Sequence, residues 1–241
     1  MEKKTLNIDL PVRLEMIANY VTNDQVIADI GSDHALLPGY LVGNKKVRKA
    51  IAVEVNEGPM QAAQQNVDSW GLSEAIDVRK GDGLAPLTES DDIGTIVIAG
   101  MGGMLISSIL KAGQEKLENV QRLILQPNTA ADNIRRWLIE QNWSLVDETM
   151  IDEAGYTYEI LVAERGDPYE AYDNDQLEKQ LWLGPWNLKQ KQAAFYAKWL
   201  REKRELESID QQLSKAVKNE KTEAKRQQIQ QRLQWLKEEL S

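Results

Sequence analysis

Five short apolar runs, each followed by a stretch whose apolar residues have helical spacing, dominate the first two thirds of the chain. The runs occupy residues 26–30, 50–55, 75–80, 93–99 and 122–126. Strands that alternate with helices in this way predict a mostly parallel sheet with helices on both faces. Two further runs, 143–151 and 156–163, adjoin without an intervening helix and predict an antiparallel C-terminal edge. The pattern therefore predicts an α/β domain.

The last third of the chain has a different pattern. The segment 166–173 is typical of a linker, and no proline or glycine occurs after Trp186. Apolar residues then recur at nearly heptad spacing in two sets, at 195, 199, 206, 209, 213 and 216 and at 229, 233, 236 and 240. A polar run separates the sets, which predicts two helices folded back as an antiparallel coiled-coil hairpin. We therefore predict two domains, 1–165 and 166–241.

Composition and charge limit the class of protein. The 241 residues contain no cysteine, and no apolar run approaches the roughly 20 residues that span a bilayer. We therefore expect a cytoplasmic protein without membrane contact. The net charge of −9 taken alone argues against nucleic-acid binding, but residues 189–226 hold 11 basic and 6 acidic residues. An acidic body with a basic arm is compatible with a polyanionic partner.

Acidic residues and glycines follow the first four predicted strands. Asp29 and Gly31 end the first, Glu54 the second, Asp82 the third, and the segment 100–103, Gly-Met-Gly-Gly, the fourth. Ligands of such sheets bind beyond the carboxyl ends of the strands, so we expect all four positions to lie along one cleft. Taken singly, Asp82 could be an ordinary turn residue, and the glycine-rich segment could be a packing turn.

The turn after the first strand favours a ligand with a cationic part. Its sequence, Gly31-Ser-Asp-His, lacks the Gly-x-Gly-x-x-Gly pattern of dinucleotide sites and carries an acid at Asp33. That acid disfavours a pyrophosphate and suits the sulfonium and ammonium groups of S-adenosylmethionine. Glu54, 23 residues after Gly31, lies at the offset where an acid accepts hydrogen bonds from ribose hydroxyls.

Five short motifs lie at these strand ends. They are Asp-Ile-Gly-Ser-Asp-His at 29–34, Asn-Glu-Gly-Pro at 56–59, Gly-Asp-Gly-Leu at 81–84, Ile-Ala-Gly-Met-Gly-Gly at 98–103 and Leu-Gln-Pro-Asn at 125–128. Together they resemble the set of the bacterial tRNA (adenine-N1)-methyltransferases that modify adenine 22. The resemblance covers residues 10–165, and the predicted hairpin matches that family's architecture. It implies a Rossmann-like class I methyltransferase sheet, S-adenosylmethionine as cofactor and tRNA as substrate.

The resemblance also implies roles for individual cofactor-binding residues. Asp29 to His34 would hold the methionine end, Glu54 the ribose hydroxyls and Asp82 the adenine amino group. The residues expected to contact the cofactor are Asp29, Gly31, Ser32, Asp33, His34, Glu54, Val55, Gly81, Asp82, Gly83, Ala99, Gly100 and Met101.

Catalysis at adenine N1 makes modest demands on side chains. N1 has its own lone pair, so positioning against the methyl group matters more than a strong base. A carboxylate would stabilise the developing positive charge or take up a proton. Asp29 and Asp33 are the candidates for this role, and Asp29 is preferred. His34 is a further candidate proton acceptor, although a lone histidine is more often structural. No metal is expected.

Four residues are expected to line the pocket of the target base: Arg13, on a helix predicted over 10–21, Gly102, Gly103 and Asn128. For Arg13, a solvated position on its helix is the alternative. N1 lies on the Watson–Crick edge, so the base must leave the stack to react.

The predicted arm has a basic face that would bind backbone phosphates of tRNA. Its residues are Lys189, Lys191, Lys198, Arg201, Lys203, Arg204, Lys215 and Lys218, and the strongest candidates for substrate contact are Lys189, Lys198, Arg201, Lys203 and Arg204. The same face could be a solvated flank or a dimer contact, and we favour a monomer. Two rival functions stay open: methylation of another RNA or of a small molecule, and a non-catalytic cofactor-sensing scaffold whose coiled coil recruits a protein.

Overall fold

The computed structural model describes residues 8–23, 25–215 and 219–241. The strands are β1 (Val26–Ile30), β2 (Lys49–Glu54), β3 (Ile76–Lys80), β4 (Thr95–Gly102), β5 (Arg122–Thr129), β6 (Trp143–Glu153) and β7 (Tyr156–Arg165). The α-helices are α1 (Val12–Tyr20), α2 (Leu36–Gly43), α3 (Glu57–Trp70), α4 (Gly103–Ala112), α5 (Ala131–Glu140), α6 (Leu177–Leu183), α7 (Pro185–Gln190), α8 (Ala193–Lys215) and α9 (Glu220–Glu239).

The strands form one sheet in the order β3-β2-β1-β4-β5-β7-β6. The first five strands pair in parallel, whereas β7 runs antiparallel to β5. The predicted parallel sheet with an antiparallel edge is thereby confirmed. Strand order reverses between β1 and β4, so the carboxyl ends of these strands open a crevice at one edge.

The core lies along the central strands. Every residue of β1 is buried, as are the first four of β4. Ile27, Ile96 and Leu123 are completely buried on three neighbouring strands. Each such side chain stabilises the fold by about 1.5–3 kcal/mol relative to exposure, and this apolar layer supports the charged groups at the strand ends.

Helix α1 is fixed along β5 at both of its ends. At its start, Arg13 Nη1 donates to Gln126 Oε1 over 2.6 Å. At its end, Arg122 Nη1 donates to the Tyr20 carbonyl over 2.7 Å, and Lys46 Nζ donates to the Ala18 carbonyl over 2.5 Å. The last turn of α1 has no basic residue of its own, so these two cations satisfy its carbonyls. The helix therefore carries Arg13 to the carboxyl edge of the sheet.

A buried ion cluster ties α5 to the antiparallel edge. We call Arg135, Glu148 and Glu159 the buried arginine cluster, because Arg135 Nε donates to Glu148 over 2.9 Å and Arg135 Nη2 donates to Glu159 over 2.5 Å. All three side chains are at most 5% exposed. Buried charges at this depth depend on their partners, so the cluster fixes the register between α5 and the strands.

The chain divides into two compact units. The first contains the described residues of Met1–Thr149 and Tyr158–Ala171, and the second contains those of Met150–Thr157 and Tyr172–Ser241. The second unit therefore includes the tip of the β6–β7 hairpin together with α6 to α9. Its apolar cluster comprises Met150, Leu183, Ala194, Phe195, Trp199, Leu206, Ile229 and Leu236.

The two long C-terminal helices are confirmed as α8 and α9, which run antiparallel. Asp210 accepts from Arg226 over 2.9 Å near the turn, and Lys191 pairs with Glu239 at 3.0 Å at the other end. Heptad position Ala216 lies outside the described residues, and the supercoil stays a prediction. Sequence spacing did not indicate the break between α7 and α8, where Lys191 adopts a left-handed conformation with φ +43°. No described helix has the length and apolarity to cross a membrane.

Candidate active site

The turn after β1 is built from short hydrogen bonds to the neighbouring strand. The Gly31 and Ser32 amides donate to the Val53 carbonyl over 2.8 and 3.3 Å. The Ser32 hydroxyl donates to Asp29 Oδ2 over 2.7 Å. Gly31 adopts φ +71°, and a Cβ there would lie 2.4 Å from the Met101 methyl carbon. A glycine is therefore needed for both the bend and the space.

Three consecutive non-glycine residues continue this turn in left-handed conformations. Asp33, His34 and Ala35 have φ values of +39°, +66° and +57°. Left-handed backbone costs roughly 1–2 kcal/mol per residue for L-amino acids, and such strain persists where surrounding contacts hold it. Here Asn66 Nδ2 donates to the His34 carbonyl over 3.0 Å. The coil places the Asp33 and His34 side chains outward, with His34 Nε2 3.6 Å from Asp33 Oδ1.

Glu54 ends β2 as a buried carboxylate beside the same turn. Its Oε1 accepts the Asp33 amide over 2.7 Å, and its own carbonyl accepts the Gly81 amide over 2.9 Å. Burial raises the pKa of Glu54, and the Asp33 amide opposes that rise. The carboxylate thus links the loops that follow β1 and β3.

Asp29 is a buried carboxyl group with a pKa near neutrality. Burial raises its pKa from 3.8 to about 7, and the hydrogen bond from Ser32 opposes the rise. The negative charges of Glu54 and Asp33 raise the pKa of Asp29 further, whereas the positive charge of Arg13 lowers it. Perturbed carboxyl groups of this kind concentrate in functional clefts.

Gly100 forms a bulge at the end of β4. In the pairing of β4 with β5, Ala99 lies opposite Gln126 and Met101 opposite Pro127, and the register shifts between them. Gly100 adopts φ +78°. Its amide donates to Gln126 Oε1 over 3.0 Å, and its carbonyl accepts from Asn128 Nδ2 over 2.7 Å. Side chains of β5 therefore replace the missing ladder bonds.

These elements enclose a cleft of about 350 Å³ at the carboxyl edge of the sheet. Its lining residues are Arg13, Leu14, Asp29, Gly31, Ser32, Asp33, Ala99, Gly100, Met101, Asn128 and Tyr158. The Arg13 guanidinium lies 5.3 Å from the centre of the Tyr158 ring, at cation–π distance. Carboxylates from β1 and its turn face a guanidinium across the cleft. The acidic side suits a cationic ligand, and the aromatic and cationic side suits a planar base.

The cleft brings together most of the residues that the sequence indicated, but Asp82 differs. Asp82 and Gly83 line a second cavity of about 290 Å³, bordered by Leu84, Leu105 and Ile109. Gly83 has φ +54°, and a Cβ there would approach Ile109 to 2.9 Å, so the loop after β3 packs on α4. Neither Asp82 nor Glu54 is among the lining residues of the first cleft, so one cleft shared by all four strand ends stays a prediction. The role of Asp82 at the adenine stays a prediction.

The remaining predicted residues lie around the cleft. Val55 is exposed just beyond Glu54, and Gly81 contributes its amide to Glu54. Gly102 precedes α4, and Gly103 begins it so close to α5 that a Cβ would lie 2.1 Å from the Ala130 carbonyl oxygen. Gly103 is thus required for packing, whichever role it has toward the substrate.

Two lining or supporting residues were missed by sequence reasoning. Gln126 is completely buried and accepts from both Arg13 and Gly100. The signal was present, since Gln126 is the polar residue that follows an apolar run in β5. Tyr158 gave no such signal, because an aromatic residue in an edge strand is ordinary.

The predicted basic residues of the arm have unequal surroundings within the second unit, and Lys218 lies outside the described residues. Lys189 and Lys198 lie over the rings of Trp186 and Trp199, at 4.3 and 4.7 Å. Arg201 donates to the Gly155 carbonyl and the Thr157 hydroxyl at the hairpin tip, over 2.9 and 2.6 Å. It is therefore engaged in structure, whereas Lys203 is half-buried and Arg204 is exposed on α8.

The strand order and the cleft at the reversal point define a Rossmann-like α/β protein, and its relatives make the class that of methyltransferases. The profile of the tRNA (adenine(22)-N(1))-methyltransferase family matches residues 27–238, and the chain belongs to that family. A Bacillus subtilis relative, a tRNA (adenine(22)-N(1))-methyltransferase, is 44% identical over 231 residues, which are 96% of this chain and 97% of the relative.

Solved structures agree over nearly the whole chain. The crystal structure of the Bacillus subtilis m1A22 tRNA methyltransferase is similar with a TM-score of 0.93 at 43% identity, covering 98% of this chain and 100% of that one. A Streptococcus pneumoniae protein in complex with S-adenosyl-L-methionine is similar with a TM-score of 0.86 at 39% identity, covering 97% and 100%. The sequence-based assignment of family and fold is therefore confirmed.

Proposed function

We propose that this chain transfers a methyl group from S-adenosylmethionine to N1 of adenine 22 in tRNA, in the cytoplasm. The observation that carries the proposal is the cleft between β1 and β4, which the buried carboxyl group of Asp29 lines together with Arg13 and Tyr158. Family membership supplies the substrate class, and the named activity of the Bacillus subtilis relative supplies the base.

The residues of the cleft fit the cofactor chemically. The buried carboxyl group of Asp29 lines the cleft, Glu54 is bonded to the amide of its lining residue Asp33, and glycines at 31 and 100 keep the walls free of side chains. When bound there, S-adenosylmethionine supplies an electrophilic methyl group. We assign its methionine end to the turn around Asp29 and Asp33 and its ribose to Glu54. Binding of the ribose would require Glu54 to share or release its bond to the Asp33 amide.

The opposite wall of the cleft fits the target base. Arg13, Tyr158 and Asn128 offer a cation, an aromatic face and an amide, which can orient a flipped adenine by stacking and hydrogen bonds. Asp29 stabilises the positive charge that develops on the methylated ring, and its pKa of about 7 lets it hold a proton near neutrality. His34 lies on the outer side of the turn. We assign it only the role of an alternative proton acceptor.

Methyl transfer to defined transcripts tests the proposal. An unmodified tRNA with adenine at position 22 and the same tRNA with guanine there are incubated with labelled cofactor, and the altered base is mapped by mass spectrometry. We expect methylation of the first transcript only, at N1 of residue 22, and a large loss with Asp29→Ala. Modification at another base, or only of another RNA, would replace the substrate assignment. Cofactor binding without any transfer to RNA would favour a sensing scaffold.

We further propose that cations of α8, the half-buried Lys203 and the exposed Arg204 among them, contact tRNA phosphates. Because Arg201 holds the hairpin tip, the informative variant reverses Lys203 and Arg204 alone. The magnitude of the slope of log affinity against log salt should fall by about 0.7–0.9 for each lost phosphate contact, the range between single strands and B-form DNA. The matched control reverses Lys45 and Lys111, exposed residues at the ends of α2 and α4 away from the cleft. Equal slopes for both double variants would remove α8 from the interface.

A further inference from the structure

A single buried amide joins the two walls of the cleft. Gln126 is the fifth residue of β5 and is completely buried, directly after the apolar residues 123–125. Burying an amide is unfavourable unless hydrogen bonds compensate. The buried side chain of Gln126 therefore needs hydrogen-bond partners for its polar atoms.

The partners come from three different elements. Gln126 Oε1 accepts from Arg13 Nη1 of α1 over 2.6 Å and from the Gly100 amide of β4 over 3.0 Å. Gln126 Nε2 donates to Asn128 Oδ1 over 3.2 Å, and Asn128 Nδ2 donates to the Gly100 carbonyl over 2.7 Å. The bonds close a ring through Gly100, Asn128 and Gln126, with Arg13 attached to its buried corner.

The bulge explains why this ring exists. Gly100 has no partner residue in the register of β4 and β5, and the neighbouring position of β5 is Pro127, which has no amide hydrogen. The polar groups of Gly100 would therefore lack ladder bonds at the cleft floor. Gln126 and Asn128 supply one acceptor and one donor in their place.

We infer that Gln126 is a positioning residue that fixes Arg13 and the Gly100 bulge in one geometry, and thereby sets the target base against the methyl donor. The inference rests on the proposed function, since it concerns the same cleft. Arg13 and the Gly100 amide donate to the same oxygen atom, Gln126 Oε1. A shift of Gln126 therefore disturbs both hydrogen bonds at once. The Arg13 bond is charge-assisted, which makes this anchor stronger than a neutral amide pair.

A double-mutant cycle between Gln126 and Arg13 tests the inference. The single-turnover rate constant is measured at saturating cofactor and tRNA for Gln126→Met, Arg13→Met and the double variant. We expect each single change to lower the rate roughly 10- to 100-fold, because misplacement of about 1 Å has effects of this size. The two effects should combine to less than their product, since both changes break the bond between Arg13 and Gln126. Multiplying effects would overturn the inference.

Two further measurements separate positioning from a general loss of structure. Gln126→Glu keeps an oxygen acceptor for Arg13 and Gly100, so its rate constant should recover most of what Gln126→Met loses. If Gln126 has a purely structural role, the buried charge of Gln126→Glu should bring no recovery. The equilibrium tRNA affinity of Gln126→Met should stay close to that of the unaltered protein, so that the defect appears in the rate alone. A loss confined to tRNA affinity would contradict positioning.

Folding of the variants and the parent reaction are controlled separately. If Gln126→Met does not bind cofactor with full stoichiometry, the cycle is run under the same criterion with Gln126→Asn, whose shorter side chain withdraws the shared acceptor, and Arg13→Met. If the unaltered protein fails to methylate adenine 22, the proposed function fails. If it methylates that base while the cycle is additive, the inference about Gln126 fails alone.

Discussion

Replacing Asp29 by asparagine should stabilise the protein while weakening its active site. Asparagine has nearly the same shape and can still accept the hydrogen bond from Ser32, but it carries no charge. The pKa of Asp29 rises from 3.8 to about 7 because the group is buried. Its ionised form is therefore unfavourable in the folded state, and removing the charge removes that cost.

The size of the effect follows from the pKa. Each pKa unit corresponds to about 1.36 kcal/mol, so the rise to about 7 amounts to about 4 kcal/mol once Asp29 is fully ionised. Between pH 3.8 and about 7 the folded state binds more protons than the unfolded chain, so this group lowers stability as the pH rises through that window. Even half of the cost would correspond to about 4–8 °C in Tm for a chain of this length.

The assay is thermal or urea unfolding of both proteins at pH 5 and pH 8, with Asp9→Asn, a substitution of an exposed carboxylate, as the matched control. We expect Asp29→Asn to raise stability most at pH 8 and less at pH 5, and the control to show no such difference. Calorimetric titration with S-adenosylmethionine should show weaker binding for Asp29→Asn, most clearly at pH 8. A gain that is absent at pH 8, or equal at the two pH values, would refute the assigned ionisation.

Three further substitutions probe the surroundings of the cleft. Gly31→Ala should displace the Met101 methyl group and strain a left-handed residue, so calorimetry should show weaker cofactor binding; unchanged affinity would show that the turn has room to adapt. Gly103→Ala should cost several kcal/mol in urea unfolding, because its Cβ would meet a backbone oxygen of Ala130, and a loss below about 1 kcal/mol would contradict the close packing of α4. In the buried arginine cluster, Arg135→Met should cost about 3–5 kcal/mol by leaving carboxylates without their cation; a neutral result would mean that these carboxyl groups are protonated in the fold.

The spacing of apolar residues was sufficient to predict the sheet but not to predict where its strands end. The run 93–99 predicted a strand that stops before Gly100, whereas β4 continues to Gly102. A bulge lets pairing with β5 resume beyond Gly100. Such continuation depends on side chains of another strand, Gln126 and Asn128, and single-strand patterns contain no information about them.

The candidate site was predictable where local sequence determines geometry. Asp29 and Glu54 end consecutive buried strands, so their neighbourhood followed from parallel pairing alone. Asp82 follows β3, an edge strand with a single buried residue, and the loop that holds Asp82 packs on α4 and lines another cavity. The tie from Arg201 to the hairpin tip joins residues 44 and 46 positions apart, a tertiary contact that charge counting cannot reveal.

The discontinuous make-up of the second unit has a practical consequence for engineering. Met150, which is 2% exposed, belongs to the same apolar cluster as Phe195 and Leu236, although it precedes them by a whole strand and a linker. A fragment cut out after Arg165 would leave a hole in that cluster. Grafting this helical appendage onto another enzyme would therefore require carrying the hairpin tip with it, as two separate insertions.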